Sequence, residues 1–563
     1  MKSIISLILA FSMIFTACGI FAAATEKELT IAVANDIHLN VDKSTTPVKR
    51  GNSVNEDFFH AGHSGQMPEE SVAIADAFFD LVANDESDVL LLPGDIADGG
   101  TIDQHLAMAA LLSEFEATSG KKVFVIPGNH DFWDAGVADF KEIYQSFGYS
   151  DAIAQDTLSA SYVAELNDEY RLLAIDSTKP GQSPHGMTQA RVDWIEAQCK
   201  QAATDGKKVI AMMHHNLIEH FVLAKTLHKT AIVEGDVALA EVLATNGVKY
   251  IFTGHTHDTD IAAYTAEDGS VIYDVVTGAL FSYPCPYRVV KFSDSVTFET
   301  RKVQSVDVSL LPPGITENAI EMAKTDMVQY SKICTWIGVR NTIAGYASAS
   351  SLKRLLKLDK EKDAAMWGIV DKVGTKIAES LNWSLNASVA EEDAMSIEGY
   401  LAEYDIEVPQ TAYGDLIDVA VEIFQAHVVG DENFPGYSPE ILSMTRGLAA
   451  VLHYSLADLS VEEYTTVLEF IAALLKLDLN PEILTLAGNA VSRMRGLELL
   501  FTTAIMPLFC EYGVDDAPAD NNVTLPGYEK NTTQETMNFF EKIFEFLKQL
   551  YNGLMTFFAH FFG

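Results

Sequence analysis

Short apolar runs, each followed closely by acidic, amide or imidazole side chains, recur along the first half of the chain. Each run is four or five residues long, which is typical of a buried strand. Segments with a helical spacing of apolar residues lie between the runs, so the pattern predicts an α/β fold. Polar groups that follow such strands meet at one edge of a sheet, where ligands usually bind. The runs occupy residues 29–33, 89–92, 123–126, 209–213 and 248–252.

The polar residues after these runs form five motifs that contain candidate metal ligands. Carboxylate oxygens, amide oxygens and imidazoles suit Mn, Fe, Co, Ni or Zn, and the lack of a thiolate excludes a cysteine-type structural zinc site. Seven side chains of these motifs are candidate ligands, a number that suits two divalent metal ions sharing one carboxylate. The motifs are Asp36-Ile37-His38, Gly94-Asp95-Ile96-Ala97-Asp98, Gly128-Asn129-His130-Asp131, His214-His215-Asn216 and Gly254-His255-Thr256-His257.

As an ordered set, the motifs resemble those of the calcineurin-like metallophosphoesterase superfamily, and the resemblance covers about residues 28–305. It implies an αββα sandwich of two packed sheets that carries two divalent metal ions. One implied metal site consists of Asp36, His38, Asp95 and His257. The other consists of Asp95, Asn129, His214 and His255, so that Asp95 bridges the two ions.

The same resemblance implies roles for other residues of the motifs. His130 is expected near the phosphate, where it stabilises charge or protonates the leaving oxygen. Asp98 matches the position that orients this histidine, and Asp131 is expected to be structural.

The motif at 214–216 departs from the family pattern. Relatives commonly have Pro where this chain has Asn216. We assign the metal ligand to His214, and His215 remains the alternative.

The compact motif spacing and the Asp-Ile-His-Leu opening look like those of bacterial class III cyclic-nucleotide phosphodiesterases. The resemblance therefore implies a dimetal-dependent phosphodiesterase for cyclic-nucleotide-like or other small phosphodiesters. It would use a metal-bridging hydroxide, with His130 assisting the leaving group. A phosphomonoesterase or nucleotidase and a phospholipid head-group hydrolase remain alternatives. From another functional class, a surface interaction protein with a helical binding module also remains open.

The charge balance restricts the partners. The 563 residues include 38 Lys and Arg and 79 Asp and Glu, which gives a net charge of −41. Binding of a nucleic-acid polymer requires a basic surface and is therefore excluded. An anionic substrate requires a local positive site, such as bound metal ions. The length of the chain predicts more than one domain.

Residues 1–24 have the pattern of an export signal. A basic start is followed by an apolar stretch and by Ala22-Ala23-Ala24, a small-residue cleavage site. An uncleaved anchor is one alternative to cleavage after Ala24, because the length of the apolar stretch approaches a membrane span. Residues 15–18 also resemble a bacterial lipobox, so lipidation at Cys18 is another alternative. Lipidation and cleavage both predict an exported protein, either extracellular or at the cell surface.

The second half of the chain changes to long amphipathic helices. Residues 306–512 predict an all-α domain that packs on the catalytic domain and borders its cleft. Residues 513–535 are polar and acidic, and they predict a flexible spacer. Residues 536–563 predict an amphipathic helix, of which 537–562 would lie on a membrane surface. Packing of the same apolar face on the helical domain or on another subunit is the alternative.

Overall fold

The computed structural model describes most of the chain between residues 28 and 528. The predicted export signal at 1–24, with Cys18, and the predicted amphipathic helix at 536–563 lie outside the described residues. The described residues are 28–41, 65–179, 186–221, 224–227, 230–346, 348–390, 394–430, 432–474, 483, 486–507, 509, 513–515 and 517–528.

Two mixed β-sheets form the centre of this structure. The strands are β1 (Leu29–Val33), β2 (Val89–Leu92), β3 (Lys122–Val125), β4 (Ala152–Gln155), β5 (Tyr162–Glu165), β6 (Tyr170–Ile175), β7 (Lys208–Met213), β8 (Tyr250–Thr253), β9 (Asp260–Thr265), β10 (Val271–Val276), β11 (Pro286–Phe292), β12 (Ser295–Lys302) and β13 (Asn522–Pro526). One sheet has six strands in the order β13-β12-β11-β1-β2-β3, and the other has seven in the order β4-β5-β6-β7-β8-β10-β9. β1, β2 and β3 run parallel, as do β6, β7, β8 and β10.

The two sheets pack face to face because alternate residues of a strand point to opposite faces. Ile210 and Met212 of β7 belong to the same hydrophobic core as Ile31 of β1. Ala211 and Met213 of β7 face the other way, into a second core. The strand at the centre of the seven-stranded sheet is therefore buried on both faces, which explains its continuous apolar sequence.

Helices cover the outer faces of both sheets. They are α1 (Ser71–Ala83), α2 (Ile102–Ser119), α3 (Val137–Ile143), α4 (Gln189–Thr204), α5 (Ala224–Leu227) and α6 (Asp236–Thr245). Phe78 of α1 and Met108 of α2 pack on the six-stranded sheet. Ile195 of α4 and Leu239 of α6 pack on the seven-stranded sheet. This arrangement confirms the predicted αββα sandwich.

A helical region follows the sandwich, as predicted. Its helices are α7 (Glu317–Thr325), α8 (Met327–Tyr346), α9 (Ala349–Leu355), α10 (Ala364–Ser380), α11 (Ile397–Ala402), α12 (Leu416–Val429), α13 (Pro439–Ser455), α14 (Val461–Leu474) and α15 (Ala490–Leu500). Tyr330 and Cys334 of α8 are buried in the core of the sandwich, so the helical region packs directly on it. Among the described residues, none of the helices combines the length and the apolar character needed to cross a membrane.

The prediction of a flexible spacer at 513–535 is wrong for residues 522–526. These residues form β13, which pairs antiparallel with β12 at the edge of the six-stranded sheet. Leu525 is buried, and the Tyr250 hydroxyl donates a hydrogen bond to the Pro526 carbonyl oxygen over 2.6 Å. An edge strand exposes many of its side chains, so its polar composition does not distinguish it from a loop.

A buried carboxyl group joins the helical region to the sandwich. The Tyr330 hydroxyl donates a hydrogen bond to Glu70 Oε1 over 2.7 Å, and both side chains are buried. Burial raises the pKa of Glu70 to about 8, although the hydrogen bond from Tyr330 opposes this shift. The folded protein therefore keeps the Glu70 proton at pH values where the unfolded chain has lost it.

Glu70→Gln should stabilise the protein at alkaline pH and leave its stability nearly unchanged near pH 4.5. Between pH 4.5 and about 8 only the unfolded chain releases this proton, so parent stability falls as the pH rises. The loss is at most about 1.4 kcal/mol per pH unit. The side-chain amide of the Glu70→Gln variant cannot ionise, so the variant does not lose stability in this way. Thermal unfolding at both ends of this range tests the prediction, with Glu114→Gln, at an exposed position, as the control. A difference in Tm that does not change with pH would contradict it.

Candidate dimetal site

Strands of both sheets end together at one edge of the sandwich. β1, β2 and β3 come from the six-stranded sheet, and β7 and β8 come from the seven-stranded sheet. The loops after these strands carry the seven predicted metal ligands, and the structure brings all of them together. The ligands are Asp36 and His38 after β1, Asp95 after β2, Asn129 after β3, His214 after β7, and His255 and His257 after β8.

Asp95 lies at the centre of these ligands. Its Oδ2 is 3.5 Å from His38 Nε2 and 3.3 Å from His214 Nε2, which belong to different sheets. His214 Nε2 also lies 3.1 Å from Asn129 Oδ1. A carboxylate between two sets of ligands has the position that a bridge between two metal ions requires.

Asp36 is the second carboxylate among the ligands. Its Oδ1 is 3.7 Å from His38 Nε2 and 3.4 Å from His257 Nε2. Its Oδ2 accepts a hydrogen bond from the backbone N–H of His255 over 2.9 Å. Two groups of ligand atoms each lie within 4.8 Å of one another: Asp36, His38 and His257 form one, and Asp36, Asp95 and His214 form the other.

The spacing of the ligand atoms fits metal ions. The carboxylate–imidazole distances of 3.3–3.7 Å exceed those of charge-assisted hydrogen bonds, which are about 2.7–2.9 Å. Ligand atoms about 2.1 Å from one ion lie about 3 Å or more from each other. His214 Nδ1 donates to the Pro93 carbonyl oxygen over 3.1 Å, which leaves the Nε2 lone pair for a metal. The residues present therefore fit divalent ions.

The backbone at the ligands has a conformation that residues other than glycine rarely adopt. Five of the seven ligands have φ between 46° and 72°. Left-handed conformations cost about 1–2 kcal/mol per residue, and they cluster at functional sites. The five residues are Asp36, His38, Asp95, His255 and His257.

Two glycines of the motifs make room for the ligand carboxylates. A methyl group at Gly128 would overlap the carboxylate of Asp95, and one at Gly254 would overlap that of Asp36. The close approach of backbone to ligand therefore requires glycine at both positions.

Asp131 holds two ligand loops together. It is buried and accepts hydrogen bonds from the N–H groups of Ala97 (2.9 Å) and Gly128 (2.8 Å). These residues flank Asp95 and Asn129 in the loops after β2 and β3. The structural role expected of Asp131 agrees with these contacts.

His130 lies beside the ligands, and its ring is oriented by Asp98. His130 Nδ1 donates a hydrogen bond to the Asp98 backbone carbonyl oxygen over 2.7 Å, which leaves Nε2 as the ring nitrogen available to a substrate. The Asp98 carboxylate lies instead 3.4 Å from His38 Nδ1. The orienting contact expected of Asp98 is therefore made by its backbone.

The structure places His214 and His215 in different surroundings. His214 faces Asp95, whereas His215 Nδ1 lies 2.7 Å from Ser177 Oγ. The ring centroid of His215 is nevertheless only 4.5 Å from that of His255. Both histidines thus adjoin the ligands, with His214 the nearer to the central carboxylate.

Three aromatic or amide side chains at the site were not predicted. The ring centroid of Trp133 lies 4.2 Å from that of His130, and the indole is 66% exposed. Phe281 stacks on His38 at 4.3 Å, and Gln66 Nε2 lies 3.3 Å from His257 Nδ1. Trp133 could have been noticed in the sequence, because it lies only three residues after His130. Phe281 and Gln66 are distant from all five motifs in sequence, so no local signal pointed to them.

The carboxylates and imidazoles shift each other's pKa values. Burial raises the pKa of Asp36, but the neighbouring imidazoles of His257 and His38 outweigh burial and hold this pKa well below its usual range. Burial lowers the pKa of His38 and His214, but nearby carboxylates outweigh it and raise these pKa values to about 10 and about 9. Without a metal, these imidazoles hold protons that a bound cation would displace.

Comparison with known proteins identifies the domain. Residues 29–259 match the family model described as calcineurin-like phosphoesterase. The chain therefore contains a metallophosphoesterase domain, which confirms the resemblance drawn from the five motifs.

The relatives are distant and match only part of the chain. The 3',5'-cyclic adenosine monophosphate phosphodiesterase CpdA of Haemophilus influenzae is 27% identical over 176 residues, which cover 31% of this chain and 56% of that protein. The probable glycerophosphodiester phosphodiesterase GpdQ of Arcobacter nitrofigilis is 27% identical over 161 residues, with coverages of 28% and 54%. The chain thus spans about half the length of these curated relatives. A dimetal phosphatase from Danio rerio, a solved structure, matches with a TM-score of 0.36 and 11% identity, covering 49% of this chain and 96% of that one.

Metal binding at pH 7 should release protons, because His38 and His214 are protonated in the metal-free site and a metal ligand must lose its proton. Adding Mn²⁺ to chelator-treated protein in weak buffer should release about two protons per molecule. The apparent metal affinity should fall as the pH is lowered from 9 to 6. Asp95→Asn, which removes the central carboxylate, should bind less metal and release fewer protons. Stoichiometric binding without proton release would refute this description of the site.

Proposed function

We propose that this protein is a dimetal-dependent phosphodiesterase that hydrolyses small phosphodiesters, with cyclic-nucleotide-like diesters as leading candidates. The observation that carries the proposal is the convergence of His38 and His214, from the two different sheets, on the Asp95 carboxylate, with His130 beside them. The names of the two curated relatives refer to phosphodiesterases, which supports the same reaction class.

The cavity at the ligands favours a small diester. Its volume of about 440 Å³ suits a small molecule. Among the described residues that line it, there is no Lys or Arg. The positive charge that meets the phosphate must then come from the metal ions and the histidines. A diester carries one negative charge and a monoester carries up to two, so such a lining favours the diester.

The proposed reaction assigns a task to each part of the site. Two divalent ions, when bound, neutralise phosphoryl oxygens and supply hydroxide at neutral pH. The predicted carboxylate and imidazole ligands would hold these ions. As the imidazolium, His130 would give its Nε2 proton to the departing oxygen, while its Nδ1–H stays bonded to the Asp98 carbonyl oxygen. The Asp98 carbonyl thereby fixes the orientation of the His130 ring and keeps Nε2 available for the substrate.

We further propose that the reaction takes place outside the cytoplasm. The apolar stretch and the small-residue cleavage site within residues 1–24 support this location. Extracellular nucleotides, glycerophosphodiesters and phospholipid head groups are then candidate substrates alongside cyclic nucleotides.

A substrate panel tests the function directly. Bis(p-nitrophenyl) phosphate, cyclic nucleotides, glycerophosphodiesters and p-nitrophenyl phosphate are offered with added Mn²⁺. We expect turnover of diesters, loss of turnover on chelation and recovery when Mn²⁺ is restored. A higher kcat/KM for the monoester would replace the proposal with a phosphomonoesterase. If fully metal-loaded protein turned over none of these substrates, the result would favour the alternative of a non-catalytic surface interaction protein.

His130→Ala should retain bound metal but lose about 10²- to 10⁴-fold in kcat, because general acid catalysis is removed. The loss should shrink for p-nitrophenyl esters, whose leaving group needs little protonation. His453→Gln, at a buried histidine in α13 of the helical region, is the matched control. An equal loss for good and poor leaving groups would exclude the general-acid role.

A further inference from the structure

The cavity at the metal ligands is built by both parts of the chain. On one side lie ligands and His130, and on the other lie side chains from α8 and α12 of the helical region. The match to the family model ends at residue 259, so the second wall belongs to a part of the chain outside that match. The described lining residues are Gln66, Asp95, Asn129, His130, Thr230, His255, Thr256, His257, Ser282, Tyr283, Thr335, Phe424 and Val428.

Two hydroxyl groups in this lining are buried without a hydrogen-bond partner among the described residues. They belong to Ser282, which is 7% exposed, and to Thr335 of α8, which is 1% exposed. Buried hydroxyls are nearly always paired, because an unpaired one loses its hydrogen bonds to water without replacement. Both residues line the cavity, so a molecule bound there is a candidate for the missing partner.

The rest of the second wall is apolar. Phe424 is partly buried and Val428 is 6% exposed, and both line the cavity from α12. They are separated by one helical turn and so lie on the same face of α12. The described lining residues of α8 and α12 carry no charged side chain, so this wall suits an uncharged group with an apolar surface.

Contacts beside the cavity hold this wall in place. His427, between Phe424 and Val428, forms an ion pair with Asp258 in which His427 Nε2 is 3.2 Å from Asp258 Oδ2. Asp258 directly follows the ligand His257 in sequence. The face of α12 that lines the cavity is therefore fixed to the loop that carries two metal ligands.

We propose that Thr335 and Phe424 of the helical region, with Ser282, form a substrate subsite for an uncharged ester substituent that has an apolar face and a hydrogen-bonding group. A nucleoside is a substituent of this kind. The inference rests on the proposed function, since it concerns the part of the phosphodiester that the metal ions do not bind. It makes the helical region a determinant of substrate selectivity.

The test compares two p-nitrophenyl diesters that share a leaving group. The second substituent is thymidine in one and methyl in the other. Parent protein should show the lower KM for the thymidine ester. Thr335→Val and Phe424→Ala should each raise that KM by about three- to tenfold, the effect of losing one hydrogen bond or apolar contact. The kcat and KM for the methyl ester should stay within about twofold, because neither side chain contacts a methyl group there.

Matched variants control for effects on folding. Thr342→Val lies on the same helix, where its hydroxyl bonds to the Gly338 carbonyl oxygen over 2.8 Å. Phe470→Ala removes a partly buried phenylalanine that packs in a different hydrophobic core. Neither should change the ratio of the two KM values. Thr335→Val should not lower Tm, because it replaces an unpaired hydroxyl with a methyl group.

Equilibrium binding gives a second measurement that does not need turnover. Metal-loaded parent should bind thymidine 5'-monophosphate more tightly than inorganic phosphate, and the two subsite variants should reduce this difference.

Equal KM values for the two esters in the parent would overturn the subsite but leave the proposed function standing. If the two variants raised the KM equally for both esters, the subsite would also be overturned. A binding preference without any turnover would overturn the proposed function and retain the subsite.

Discussion

Two carboxylates, Asp36 and Asp95, are buried where the two sheets end, and most of the site is arranged around them. A buried carboxylate is costly unless cations or hydrogen bonds compensate its charge. The backbone N–H groups of His255 and His130 each bind one of them. Such contacts require the backbone to come unusually close, which a side chain at Gly128 would prevent. The left-handed ligand residues follow from the same constraint, since their loops must direct both backbone and side chain at the buried charges.

One buried carboxylate, Asp258, connects the helical region to the loop after β8. Asp258 receives hydrogen bonds from His427 of α12 and from the Thr256 hydroxyl, and it follows the ligand His257. Burial lowers the pKa of His427, but the carboxylates of Asp258 and Glu432 outweigh burial and raise it to about 10. His427 is therefore charged at neutral pH, and the ion pair joins the ligand loop to the second wall of the cavity. Displacement of α12 would consequently disturb the loop that carries two metal ligands.

The strands and the ligand loops could be predicted from the sequence because their signals are local. An apolar run and the polar residues after it are consecutive, and parallel strands bring their ends to one edge. The roles of Thr335 and Phe424 could not be predicted in this way, because they depend on how a distant helical region docks. The hydrogen bond from His130 to the Asp98 backbone carbonyl oxygen could not be predicted either, because it does not depend on the side chain at position 98. The edge strand β13 has the composition of a loop, since pairing with β12, rather than burial, fixes its conformation.

The net charge of −41 opposes an anionic substrate only at short range, because salt screens charges over about 8 Å at physiological ionic strength. Inside the cavity the substrate meets mainly imidazoles, hydroxyls and apolar carbon, without Lys or Arg among the described lining residues. In the proposed function, recognition of the phosphate depends on the metal ions, whereas recognition of the remaining substituent depends on neutral contacts. These two tasks come from different stretches of the chain. If the proposed subsite is correct, a substitution at Phe424 or Thr335 changes which diester is preferred while every predicted metal ligand stays in place.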